Sequence, residues 1–444
     1  MYNSLTIPAG KELRPYQVNG VEFMLARERM ILGDDPGVGK TPQAVVVLAT
    51  LGVPDTLIVC PKNAIGVWEF HLEDWLGIKA KSYQAGKGKV ADIKSHGVLI
   101  TNYEQLAAIR KHREHWPVII FDESHRLRNR KTLAYKRASG LTASYLYFLT
   151  GTPVFKGAHD LWTTLHMVAP SAFGSYWSFV DKYCFKDNNG FGWQIHGIKD
   201  PLRLAQDLAP YFLRRRKAEV LSELPQKIRG KIPLHMTPVQ RKHYIELAAS
   251  MMTETDEGYV ISPSVAVTLV RLRELLVSPR LLGIDDDGAA IPALIETMEE
   301  RRTPTLVFTP FREGVAQIAR AARAEGWQAT ELTGGLTSLR TSQRVREFQE
   351  GTNPRRVLVC TVQMGTAWTA TAAQQTFFVG YDWAPQIDVQ AEDRMHRYGG
   401  TGYECYYFVH TGTVDEHVME VLSGKVTIEN LIINHRLILD RGRL

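Results

Sequence analysis

Two α/β domains, each built on a parallel sheet, are what the order of apolar runs predicts. Three observations carry this. Short apolar runs recur, each closing in polar or Gly-rich residues, with helix-spaced stretches between them. The same grammar restarts in the last third of the chain. The length, 444 residues, exceeds what one ordinary core organises. In the first half the runs are "MIL" (30–32), "TLIVC" (56–60), "VLIT" (98–101), "VIIF" (118–121) and "YLYFLT" (145–150). In the second they are "TLVF" (305–308), "QATEL" (328–332), "RVLVCT" (356–361), "TFFVG" (376–380) and "CYYFVH" (405–410). Strands this short and this continuously apolar suit a sheet covered by helices on both faces. Between the two series, 216–290 has another texture. "TPVQRKHYIELAASMM" and "SVAVTLVRLRELLVSPRLL" carry helical spacing and "TDEGYVISPS" reads as a loop. The expected division is therefore 1–215, a helical linker or protrusion at 216–290, and 291–444.

Composition fits a soluble globular chain, with 44% hydrophobic and 23% charged residues. No apolar run approaches the ~20 residues a bilayer requires, so no membrane partner is expected. The opening "MYNSLTIPAGKELRP" lacks an apolar signal core, so no secretion is expected. Cys60, Cys184, Cys360 and Cys405 are scattered without a CxxC pair, and three stand in strand-like runs. Buried free thiols in a reducing compartment are the expectation, rather than zinc or disulfides. The net charge of +6 is compatible with a polyanionic partner without specifying one.

In doubly wound sheets ligands gather beyond the C-terminal strand ends. Just past "MIL" stands "GDDPGVGKT", where Gly37 and Gly39 precede Lys40 and Thr41 at the mouth of a helix. Glycines let backbone N–H groups face phosphate, and a helix N-terminus adds positive potential. Lys40 would sit against the β/γ-phosphates and the Thr41 hydroxyl would ligate Mg²⁺. The strict phosphate-loop pattern has Gly where this chain has Asp34, and Asp35 adds a second carboxylate. We expect the pair to accept backbone hydrogen bonds and brace the turn, facing away from phosphate. At the end of another strand, "VIIFDESH" supplies Asp122 for the Mg²⁺ shell and Glu123 as general base.

"GDDPGVGKT" and "DESH" resemble motifs I and II of the superfamily-two helicases, in the form of the Swi/Snf-like DNA translocase branch. Further segments resemble that family's motifs in its own order. "LRPYQVNGVEFM" (13–24) is similar to the adenine-reading segment, which implies Gln17 as an adenine contact. "VCPKNAIGVWEFHLEDW" (59–75), "LITNYEQL" (99–106) and "LTGTPVFKGAHDLWTTLHMVAP" (149–170) resemble motifs Ia, Ib and III. "YFLRRRKAEVLSELPQK" (211–227) matches the bridge out of the first domain. "LVFTPFREGV" (306–315) and "LTGGLTSLRTSQRVREFQ" (332–349) resemble motif IV and its sequel. "VCTVQMGTAWTATAA" (359–373) and "DWAPQIDVQAEDRMHRYG" (382–399) stand for motifs V and VI.

The resemblance implies two RecA-like domains and a DNA-dependent ATPase that moves along duplex DNA, using ATP and Mg²⁺. Gln390, Arg394 and Arg397 lie in "QAEDRMHR", and the two arginines are one helical turn apart. It implies that they complete the nucleotide site, with Arg397 the better candidate for a charge-stabilising finger. Lys62, Asn63, Thr101, Tyr103, Arg128, Thr309, Arg312, Thr333, Thr361 and Gln363 occupy motif positions suited to phosphate-backbone contact. "LRRRK" (213–217) reads equally as a basic contact or a solvated hinge, and Trp68, Trp75 and Trp162 as core aromatics. Two departures bear on coupling. Motif V has Met364–Gly365–Thr366 where the family pairs glycines, and Ala384 replaces the Asn after the motif VI tryptophan. The alternatives are a strand-separating helicase, or an ATP-gated nucleic-acid clamp that does not translocate. A monomeric motor is expected, cytoplasmic in a bacterial or viral setting and nuclear in a eukaryotic one.

Overall fold

Every apolar run named above becomes a strand. The structure, a computed structural model, describes residues 5–422 apart from 85–87, 155–156, 189–191, 222–227, 365–367, 369, 383–387, 389–390 and 396–403. Backbone contacts divide the chain into two units, Met1–Ser222 and Glu223–Leu444.

In the first unit β1 is Arg29–Leu32, β2 Thr56–Cys60, β3 Lys81–Tyr83, β4 Val98–Asn102, β5 His115–Asp122 and β6 Thr142–Leu149. β7 (Phe185–Asn188) and β8 (Trp193–His196) form a separate antiparallel hairpin, and β9 is Phe212–Leu213. The main sheet runs β3-β4-β2-β5-β6-β1-β9, with every pairing parallel. β2 and β4 are buried at all their positions, as strands covered on both faces must be. The register sets the site. Leu32 at the end of β1 and Asp122 at the end of β5 both pair with Leu149 of β6. The phosphate loop and the acidic pair therefore leave the sheet at one level, two strand spacings or roughly 10 Å apart. Helix α1 (Pro15–Arg27) precedes β1, and α2 (Lys40–Thr50) follows the loop. On α2 the run Gln43–Leu48 is buried.

In the second unit β10 is Ile228–Leu234, β11 Met252–Thr255, β12 Gly258–Ile261, β13 Thr305–Thr309, β14 Gln328–Leu332, β15 Arg356–Thr361, β16 Gln375–Val379 and β17 Glu404–His410. The parallel sheet runs β10-β17-β16-β13-β15-β14. Apolar clusters pack its faces, one around Phe308, Phe378 and Leu358, the other around Val307, Phe377 and Val359. Alternate residues of one strand thus serve opposite cores.

The segment 216–290 differs from a purely helical linker. Helices Pro238–Ser250 and Val265–Val277 fall where the spacing places them. "TDEGYVISPS", expected as a loop, instead contributes β12 to an antiparallel hairpin with β11. β10 joins the second sheet as its edge strand. Its "IRGKIPL" is mostly exposed, so no apolar run announces it, and its Pro233 suits an edge position. All four cysteines are buried and free. Among the described residues no helix is long and apolar enough to cross a membrane.

Candidate functional site

The loop between β1 and α2 turns through two left-handed glycines, Gly37 (φ 81°) and Gly39 (φ 83°). A Cβ on Gly39 would stand 2.2 Å from the Gln17 amide nitrogen, so this position has neither the conformation nor the room for a side chain. As N-cap of α2, Gly39 brings no side-chain oxygen to the first-turn N–H groups, which suits an anion there. Gln17 is seated against the loop. Its amide nitrogen donates to the Val38 carbonyl (3.1 Å), and its oxygen accepts from the Arg14 N–H (2.9 Å). Tyr16 donates its hydroxyl to the same Val38 carbonyl at 3.1 Å.

Lys40 curls over the loop and donates to the carbonyls of Asp34 (2.7 Å) and Asp35 (3.1 Å). Burial holds its ammonium below the usual lysine range, against the attraction of Glu123, Asp34, Asp122 and Asp35. The candidate cation and the candidate acid pair therefore share one electrostatic site. Thr41, half-buried, follows Lys40 in the first turn of α2.

Asp122 is held on three sides. The Trp68 indole N–H donates to one carboxylate oxygen (2.8 Å), the Glu123 N–H to the other (2.9 Å), and the Tyr103 hydroxyl to its backbone carbonyl (2.6 Å). Burial, then the neighbouring Glu123, push its carboxyl up to about 6, against these bonds and Lys40. Glu123 adopts a left-handed backbone (φ 50°, ψ 49°). For a non-glycine residue this costs of order 1–3 kcal/mol and is concentrated at functional sites. Its carboxylate lies 3.3 Å from His125 Nδ1, which also lies within 3.4 Å of the Thr150 hydroxyl and 3.3 Å of the Thr152 hydroxyl. His125 thereby links the end of β5 to the end of β6.

Asp34 and Asp35 accept backbone N–H bonds, as expected. The donors are distant rather than local. Asp34 accepts from the Arg215 N–H (3.0 Å) and Asp35 from the Lys217 N–H (3.0 Å). Arg215 Nε also reaches Asp34 (3.0 Å), and Arg214 reaches Asp35 (3.0 Å). Within "LRRRK", Arg214 and Arg215 are thus committed to the loop carboxylates. Their complement to "DD" was the available signal, because two carboxylates beside a phosphate loop require counter-charge.

The expected DNA contacts divide by exposure. Lys62, Arg312 and Gln363 are exposed, and Asn63, Arg128 and Thr333 are half-buried. Gln363 donates to Asp382 (2.9 Å). Thr101, Tyr103, Thr309 and Thr361 are buried, which corrects their assignment as backbone contacts. Thr101 donates to the Tyr83 carbonyl (2.8 Å), and Tyr103 positions Asp122. A hydroxyl near the end of a buried strand looks like a ligand contact in sequence, and that of Thr101 serves the sheet instead. Trp68 and Trp162 are buried and Trp75 is half-buried. Reading Trp68 as core alone missed its bond to Asp122.

In the second unit Arg394 is 5% exposed and donates to the Trp368 carbonyl at 2.9 Å. Gln390, Arg397, Gly365, Thr366 and Ala384 lie outside the described residues. Among the described residues no group of three or more His, Cys, Asp or Glu side chains could hold a metal by itself. Thr41 and Asp122 supply the hard oxygen donors that Mg²⁺ takes, and such ions usually complete their shell with water and substrate phosphates.

The SNF2-related domain matches residues 16–281, more than half of the chain, and the helicase conserved C-terminal domain matches 289–399. The chain is similar to the CHD3-type chromatin-remodeling factor CHR7 of Arabidopsis thaliana, 26% identical over 95% of this chain and 37% of that protein. It is similar to the SWI/SNF-related matrix-associated actin-dependent regulator of chromatin subfamily A-like protein 1 of Xenopus tropicalis, 26% identical over 94% of this chain and 45% of that protein. It is also similar to the DNA annealing helicase and endonuclease ZRANB3 of Mus musculus, 26% identical over 96% of this chain and 41% of that protein. The chain spans less than half the length of these relatives. Among solved structures, the Sulfolobus solfataricus SWI2/SNF2 ATPase core in complex with dsDNA aligns over 99% of this chain and 96% of that one, with 23% identity and a TM-score of 0.46.

Proposed function

The chain belongs to the SNF2-related family of helicase-like ATPase motors, and from that premise we propose that it hydrolyses ATP to move along duplex DNA. One observation carries the ATPase reading. Lys40 shares its electrostatic site with Asp122 and Glu123, which leave the sheet level with the phosphate loop. In this reading Lys40 exchanges two carbonyl bonds for the β/γ-phosphates. Thr41 and Asp122 would hold Mg²⁺, which would neutralise charge on the phosphates. Glu123 orients the attacking water and takes its proton, and its strained backbone aims the carboxylate beyond the strand end. Gln17 is proposed to read adenine from its seat beside the loop. Arg397 is proposed as the finger, and Gln390 and Arg394 as further members of the nucleotide site.

Duplex DNA as the track is supported by the family, by the positive net charge, and by the exposed or half-buried Lys62, Asn63, Arg128, Arg312, Thr333 and Gln363. Contacts of this chemistry grip the backbone without reading sequence. Turnover should be measured with duplex, single-stranded and forked DNA, alongside displacement of a triplex strand from a duplex. Duplex-stimulated turnover with triplex displacement is the expected result. Vigorous turnover without displacement would leave an ATP-gated clamp, and stimulation by single strands with unwinding would leave a strand-separating helicase.

A further inference from the structure

The strap after β9 is built into the phosphate loop. It runs as an edge strand beside β1 and continues along the loop itself. Ile31 donates its N–H to Tyr211 (2.8 Å), Gly33 to Leu213 (2.7 Å) and Asp35 to Arg215 (3.1 Å). Arg214 adds a bond to the Gly33 carbonyl at 3.0 Å. Arg215 joins four segments. Its guanidinium pairs with Asp34 of the loop, donates to Gln43 of α2 (2.8 Å) and reaches the Tyr16 carbonyl of α1. α1 approaches this closely because Gly20 has no side chain. A Cβ there would stand 1.9 Å from the Gln43 oxygen and 2.7 Å from an Arg215 nitrogen. Asp34 is 0% exposed, so its counter-charge comes from the protein rather than from solvent.

We infer that Arg214 and Arg215 are positioning residues of the nucleotide site, which neutralise Asp35 and Asp34 so that a polyphosphate can bind beside them. The inference rests on the ATPase reading above. Both carboxylates already act on Lys40. Stripped of their arginines they would compete with phosphate for Lys40 and repel it through a poorly screened medium. The loss should fall on nucleotide binding more than on the chemical step, because the charge is fixed rather than developing during transfer.

The test is steady-state ATP turnover by Arg215→Gln, Asp34→Asn and the double variant, with melting of each protein measured without nucleotide. Arg215→Gln should raise the KM for ATP about 10-fold while kcat stays within about 2-fold. Adding Asp34→Asn should return KM to within about 3-fold of the parent. A KM that is unchanged in Arg215→Gln, or that stays high in the double variant although its melting is restored, overturns the inference. Should Arg215→Gln fail to fold, Arg214→Gln and Asp35→Asn carry the same comparison at a more exposed pair, with the same two outcomes. Lys40→Ala serves as the separate control. If it keeps full turnover the ATPase reading itself fails, whereas a Lys40-dependent enzyme indifferent to the strap defeats this inference alone.

Discussion

The two units share a sheet architecture and use charge in opposite ways. In the first, Lys40 at the start of α2 and Asp122 and Glu123 at the end of β5 stand half-buried, Lys40 on two carbonyls, Asp122 on three donors and Glu123 beside His125. In the second, several described charged residues are buried against partners of their own unit. Glu392, 1% exposed, takes both Arg229 nitrogens and the Tyr407 hydroxyl (2.7 Å). His410 pairs with Asp415 at 2.9 Å. Arg273 lies buried under the influence of Asp415, Asp382 and Asp388, and burial pushes the Asp388 carboxyl well above the usual carboxylate range. The first arrangement leaves charge poised for chemistry. The second resists change, since breaking a buried polar pair is costly.

The largest effect should come from Lys40→Ala. Loss of the phosphate cation should lower turnover by at least ~10²-fold, with melting of the nucleotide-free protein little changed; retained turnover would erase the contrast between the units. Asp122→Asn should lose a comparable factor and yet stabilise the nucleotide-free protein at neutral pH. The sign follows from its raised carboxyl. The folded state holds its proton up to about 6, the unfolded state only to the ordinary carboxylate value. Stability from this group is therefore present at low pH and falls as pH rises through that window, so a permanently neutral side chain keeps it. Activity has the opposite slope, because only the ionised carboxylate can hold Mg²⁺. Thus kcat/KM should fall as pH drops through about 6. Flat profiles in both measurements would contradict the geometry at β5.

Glu392→Gln probes the other unit. Losing the charge opposite Arg229 should cost about 2 kcal/mol in stability, read by denaturant unfolding. Nucleotide affinity, read by binding of a labelled ATP analogue, should stay within about 2-fold. A large loss of affinity would mean that the buried network also serves the nucleotide. Trp68→Phe should have the smallest effect. Removing the indole N–H takes away a bond to the ionised Asp122, so the acid limb of kcat/KM should move to higher pH. The expected cost is about 2-fold near pH 6 and none near pH 8.

The apolar runs that became the inner strands were readable because a parallel strand covered on both faces has nowhere to place a polar residue. β10 and the β11–β12 hairpin were not, since an edge strand and a surface hairpin alternate or stay polar and look like linker. That Lys40, Asp122 and Glu123 would share one neighbourhood was readable because each follows an inner strand of the first series. Thr101, Tyr103, Thr309 and Thr361 satisfied the same positional rule and proved buried. Position along a strand does not say which way its last hydroxyl turns.

By itself, then, the order of residues determined two parallel-sheet domains, a Gly-rich loop after one strand and an acidic pair after another. Those features depend on local periodicity and on what each side chain can do chemically. Only the tertiary structure decided that Asp34 and Asp35 answer to Arg215 and Arg214, about 180 residues away in the chain. It alone decided that Trp68 and Tyr103 steady Asp122. Charge complementarity acts through space, and the pairing of β9 beside β1 in one sheet is what sets that distance.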